Sequence, residues 1–132
     1  MLPLEYFIKG FHFFQDIINK DRPLDKNSFI YVHLMMPHYP FTFEDEFLEK
    51  ENNLDNYIKY WNFVNNKLLE VLKDSDLTDY KIVITGDHGY RKYPDIIDPY
   101  QTFGAFYGFD KENLKKIENV QDIGFLISNN FK

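Results

Sequence analysis

The sequence predicts an α/β fold, a mostly parallel sheet flanked by helices. Three observations predict it. Two short apolar runs rich in β-branched and aromatic residues, Phe29 to Leu34 and Lys81 to Thr85, read as buried strands. The stretch between them, Leu54 to Leu72, repeats its apolar residues at helical spacing. Strand, helix and strand in that order nearly always form a right-handed parallel crossover.

The elements follow in order. Pro3 suits the first turn of a helix, and Leu4, Phe7, Ile8, Phe11, Phe14, Ile17 and Ile18 continue it with one apolar face. Asp21 to Asn27, with Pro23, is a turn-rich connector. After the Phe29 to Leu34 strand, Pro37 and Pro40 break any ladder. Phe41 to Asn53 is acidic and irregular and reads as a solvated loop. In the long helix Leu54, Ile58, Trp61, Val64, Leu68 and Leu72 make the apolar face, and Asp74 to Asp79 is a polar connector. Gln101 to Phe109 reads as a third strand, interrupted by Gly104 and Gly108. Asp110 is placed to cap a short helix over Lys111 to Ile117, and Val120 to Ile127 predicts a final helix. There is no repeat and no low-complexity tract.

A chain of 132 residues amounts to one domain. It divides into an N-terminal helix and connector (1–28), a strand-helix-strand core (29–89) and a C-terminal strand with helices (90–132). Fourteen Phe and ten Tyr exclude a disordered tail. A net charge of −6 argues against general nucleic-acid binding, because no basic stripe is present to neutralise phosphates. It leaves anionic substrates open, since a bound cation reverses the sign locally. The absence of Cys excludes disulfide and thiolate chemistry. No apolar run approaches the ~18 residues of a membrane span, and Glu5, Lys9 and His12 make the N-terminus a poor secretory signal.

Chemistry concentrates where the two apolar runs end. One runs into Gly86-Asp87-His88-Gly89, the other into His33-Leu34-Met35-Met36-Pro37-His38. Ligands of open α/β sheets bind outside the carboxyl ends of the strands, so both groups are expected on one edge. Asp87 and His88 offer a carboxylate and an imidazole, donors suited to a divalent cation. Adjacent side chains in a strand point to opposite faces. The flanking glycines allow the backbone to turn so that both converge. The alternative is an aspartate capping a following helix beside a solvent-facing histidine. His33 and His38 read either as the end of a strand and a turn residue, or as contacts to an oxyanion or cation. Arg91 reads as anion-neutralising or as a solvated surface charge. His12 reads as a packing or surface histidine, and Tyr57, Tyr60, Trp61 and Phe63 as core and rim.

Together these residues resemble the sulfatase-like part of the alkaline phosphatase superfamily, which includes sulfatases, phosphoethanolamine transferases and lipoteichoic-acid synthases. Phe29-Ile-Tyr-Val-His33-Leu-Met-Met-Pro-His38-Tyr-Pro-Phe41 is similar to the family's strand and histidine-proline loop. Ile82-Val-Ile-Thr-Gly-Asp87-His88-Gly89 is similar to its Asp-His-Gly metal motif. Asn53 to Lys73 matches the intervening helix, and Val120-Gln-Asp122-Ile123 resembles a later segment in which the aspartate is structural.

The resemblance implies a partial alkaline-phosphatase-like sandwich. It implies Asp87 and His88 as metal ligands, with zinc, manganese or calcium as the divalent ion, and His38 and His33 as substrate-binding residues. The implied reaction is displacement at sulfur or phosphorus of a sulfate or phosphate ester, through a covalent intermediate and with metal assistance. The family's nucleophile and a further acidic ligand lie N-terminal to the histidine-proline loop. Here residues 1–28 hold no hydroxyl following a strand, and Ser28 begins one. The chain is therefore expected to be the C-terminal part of a larger enzyme, inactive alone, with the missing N-terminal part as its partner. A non-catalytic, partner-binding α/β module derived from the same fold is the alternative. The resemblance also suggests a cell-envelope enzyme, membrane-associated as a whole and with its catalytic domain outside the cytoplasm.

Overall fold

The computed structural model describes residues 3–25, 27–43 and 46–130. Among these the order is α1 (Pro3–Ile18), β1 (Phe41–Phe43), β2 (Glu46–Lys50), α2 (Leu54–Lys73), β3 (Ile82–Thr85), β4 (Gly104–Tyr107), α3 (Lys111–Leu114) and α4 (Val120–Asn130). The content is α/β, as the sequence predicts. The chain forms two compact units, Met1–Asp76 and Leu77–Lys132.

In the first unit α1 starts at Pro3 and buries Ile17 and Ile18, with Ile8, Phe11 and Phe14 half-buried. The side chains of Leu4 and Phe7 lie outside the described residues. Gly10 lets α1 approach the following segment: a Cβ there would sit 3.2 Å from Leu34 Cδ2 and 3.5 Å from the His33 carbonyl oxygen. Asn53 caps α2 by accepting the Asn56 N–H at 2.9 Å, satisfying one orphan donor of the first turn.

Two expectations are corrected here. Phe29 to Leu34 is extended but carries no ladder, although its exposure alternates with period two. The acidic stretch after Pro40 holds a hairpin rather than a loop: β1 and β2 pair antiparallel, Phe41 opposite Lys50 and Phe43 opposite Glu46, with a register shift between. The Phe-Thr-Phe alternation carries the strand signal; the surrounding acidic residues hide it. The hairpin also decides which side of α2 is covered. Phe41 is 1% exposed and its ring lies 5.5 Å from that of Tyr60, 6.2 Å from Tyr57 and 5.6 Å from Tyr39. The buried face of α2 is accordingly Tyr60, Val64 and Val71, while Ile58 and Trp61, assigned inward by the sequence pattern, are exposed.

The second unit corrects the sheet. β3 pairs with β4, and the pair is antiparallel in unbroken register, from Ile82 opposite Tyr107 to Thr85 opposite Gly104. Both ladders among the described residues are antiparallel, so the mostly parallel sheet is not found there. The reason lies in the 18 residues between the strands, which fold back on themselves: Gly86 N–H donates to the Phe103 carbonyl at 3.2 Å and Gly89 N–H to that of Pro99 at 2.8 Å. Gly108 lets the chain leave β4 at a φ of +78°, a conformation few other residues take without strain. α4 buries Ile123 and Leu126, and Asn130 near its end accepts from Lys81 Nζ just before β3.

Two smaller corrections concern the last helices. α3 is a single turn, and Asp110 makes no side-chain cap, its carbonyl instead accepting from Asn113 and Leu114 N–H. α4 runs beyond Ile127 to Asn130. At its start Asp122 Oδ2 accepts from Glu118 and Asn119 N–H at 2.9 and 3.0 Å, while Asn119 Oδ1 accepts from Gln121 N–H at 3.0 Å. This reciprocal arrangement works as a capping box, so Asp122 does structural work.

Candidate metal and anion site

The end of β3 is held before it reaches the acidic and imidazole side chains. The Thr85 hydroxyl donates to the Phe103 carbonyl at 3.1 Å, and Gly86 N–H extends the ladder one step further. The backbone then turns through Asp87 and His88 to Gly89, where Pro99 takes the next hydrogen bond. Tyr90 follows, buried, with its ring 5.9 Å from that of Tyr93. The turn therefore sits between a strand end and an aromatic anchor.

Asp87 and His88 come together across this turn. Asp87 Oδ2 lies 3.7 Å from His88 Nε2. Two donors on a common tetrahedral ion, each about 2.1 Å from it, stand roughly 3.4 Å apart, so the pair needs only a small closure to share one cation. His88 Nδ1 lies 2.7 Å from the Gly89 carbonyl oxygen. A carbonyl only accepts, so Nδ1 is the donor there and Nε2 is the ring nitrogen that faces Asp87. A second-sphere carbonyl on one ring nitrogen is the usual way a ligating imidazole is oriented. The Asp87 side chain is 84% exposed and that of His88 23%, so the pair opens to solvent on the acid's side. No helix follows Gly89 directly, and Asp87 caps none.

In the first unit His38 repeats the pattern. Its Nδ1 bonds the carbonyl of the next residue, Tyr39, leaving Nε2 to the exterior. The flanking Met36–Pro37 and Tyr39–Pro40 peptides are both cis. His33 is exposed at the end of the extended segment, its ring 6.2 Å from that of Tyr31. Nothing described joins His33 to His38 directly. His12 is a surface residue of α1 on a cleft shared with Lys67, Glu70 and Val71 of α2. Arg91 is exposed. Among the described residues no three His, Asp or Glu side chains cluster tightly enough to hold an ion. Asp87 and His88 offer two donors, where a site for such an ion uses three or four.

The segment 98–103 escapes a reading of the sequence. Pro99, Thr102 and Phe103 grip the Asp87–His88 turn from a distance in sequence, and only the turn-forming Asp98-Pro99 dipeptide hints at it.

A family model described as Sulfatase matches residues 9–130. The chain belongs to the sulfatase family. The match takes in the histidine-proline loop, the Asp-His-Gly turn and α4, a wider span than the two motifs alone. Neither the curated proteins nor the solved structures contain a match to this sulfatase-family chain. Among its described residues no helix is long and apolar enough to cross a membrane.

Proposed function

We propose that this sulfatase-family chain carries the cation-binding and anion-binding half of a hydrolase or transferase acting on sulfate or phosphate esters. Asp87 and His88 are the residues that hold a divalent cation, zinc, manganese or calcium. The approach of Asp87 Oδ2 to His88 Nε2, with the opposite ring nitrogen tied to Gly89, is the observation that carries this reading. When bound, such a cation supplies Lewis acidity and neutralises charge on the ester oxygens. Asp87 brings the compensating negative charge. His88 brings a ring nitrogen, Nε2, oriented toward Asp87.

His38 contacts the sulfuryl or phosphoryl oxygens through its outward Nε2, and His33 is a further substrate contact. Both are exposed. The hydroxyl nucleophile of the covalent step comes from a segment outside these 132 residues. The alternating exposure of Phe29 to Met35 suits a strand that takes its place in a larger, mostly parallel sheet completed by that segment.

Calorimetric titration of the chain with zinc, manganese and calcium tests the proposal. At least one ion is expected to bind, and Asp87→Asn or His88→Gln is expected to weaken it more than tenfold. Binding that ignores both substitutions would refute the assignment. Turnover of an aryl sulfate or a phosphodiester by the chain alone is expected to be near zero. Robust turnover abolished by Asp87→Ala would show that the nucleophile lies within these residues.

A further inference from the structure

The turn bearing Asp87 and His88 owes its shape to the strap 98–103. Asp98 shapes the strap itself: its Oδ1 accepts Tyr100 N–H at 2.9 Å, and its carbonyl accepts Gln101 N–H at 3.2 Å. The strap then grips the turn twice, at Gly89 through the Pro99 carbonyl and at Gly86 through that of Phe103. Thr102 lies between these two grips. Its Oγ1 stands too close to the place of a Cβ on Gly86 for such an atom to fit, and its own Cβ is 3.8 Å from that position. The residue is exposed. A side-chain oxygen packed this closely against a glycine acts as a spacer.

We infer that Thr102 is a positioning residue for Asp87 and His88. Its hydroxyl seats against Gly86 and keeps the turn from relaxing toward the strap. The inference rests on the cation role proposed for that pair. Donor distances in a metal site tolerate only about 0.2 Å of error. A turn free to slide loses the shared geometry of Oδ2 and Nε2 before it loses its fold. Outer-sphere groups of this kind are worth about 10- to 100-fold in metal affinity.

The test uses the full chain with two readouts. Without metal, amide hydrogen exchange is measured at Gly86 and Gly89. With cobalt(II) as probe, affinity and the visible absorption spectrum are measured. Thr102→Ala is expected to speed exchange at both glycines several-fold and to weaken cobalt binding about tenfold, at the low end of that range. Its melting temperature should match the wild type. Thr102→Ser, which keeps the oxygen, is expected to restore both readouts. Gly86→Ala should impair binding by collision with the Thr102 hydroxyl. Gly86→Ala/Thr102→Ala should recover it, because the new methyl refills the vacated space.

Wild-type exchange at Gly86 in Thr102→Ala would overturn the positioning role whatever cobalt does. So would wild-type cobalt affinity and spectrum in that variant. If Asp87→Asn leaves cobalt binding untouched, the cation reading fails by itself, and the exchange measurement still decides whether Thr102 holds the turn.

Discussion

Gly89→Ala puts the geometry of the turn to a direct test. A methyl at this position would stand 2.5 Å from the Gln101 carbonyl oxygen, 3.4 Å from that of Asp98 and 3.5 Å from that of Pro99. Ordinary contact to such an oxygen is about 3.5 Å, so the strap has to retreat by about 1 Å. That retreat breaks the 2.8 Å bond from Gly89 N–H to Pro99. Overpacking costs about 1–3 kcal/mol, and the lost hydrogen bond about 1 kcal/mol more. The sum is about 2–4 kcal/mol, against a total stability of about 5–15 kcal/mol for a domain. The penalty falls on the second unit, whereas Trp61, the one tryptophan, lies in the first, so fluorescence is the wrong probe. Amide exchange across the β3–β4 ladder is the right one, and about 2–4 kcal/mol corresponds to roughly 30- to 900-fold faster exchange. Gly124→Ala is the control. Nothing lies within 4 Å of a Cβ there, and α4 should gain about 0.5–1 kcal/mol from the better helix former. Exchange in Gly89→Ala within twofold of wild type would refute the packing argument. So would a loss of protection in Gly124→Ala.

Three further outcomes are expected. Asn53→Ala removes the side-chain acceptor for Asn56 N–H and should cost about 1 kcal/mol, read as a lower urea midpoint by Trp61 fluorescence. Phe41→Ala empties the space between the hairpin and α2 and should cost about 3–5 kcal/mol, measured by the same unfolding curve; a loss below 1 kcal/mol would mean that the hairpin does not seal α2. Burial raises the Tyr57 hydroxyl pKa above its ordinary value, so the fold favours the protonated phenol. Its contribution is intact below the unfolded pKa of about 10 and falls as pH rises from there through the folded pKa. Tyr57→Phe should therefore flatten the alkaline limb of the stability profile.

Much of the candidate site is legible in the residues because chemistry and geometry are local there. A carboxylate next to an imidazole, with a glycine on either side, needs only a tight turn to converge, and two neighbouring residues do converge at 3.7 Å. Helices are legible for the same reason: Pro3 at the start of α1 and Asn53 before α2 act within one turn of their own position. The hairpin of β1 and β2 is harder to see because the charges around Phe41 mimic a solvated loop, and its absence from the sequence reading also misplaces the buried face of α2. Periodicity shows that a face exists; whatever packs on the helix decides which face it is.

The sequence by itself determined the family and the helices and singled out Asp87 and His88 as neighbours in a turn, because each depends on a short stretch of chain. Tertiary structure decided the partner of β3, the buried side of α2 and the tilt of the imidazoles of His38 and His88. Those depend on bonds between residues far apart, such as Gly86 with Phe103 and Gly89 with Pro99, or on the path of the backbone past each ring. Strand pairing in particular follows from where the connecting chain folds back, and an apolar run looks the same whichever neighbour it meets.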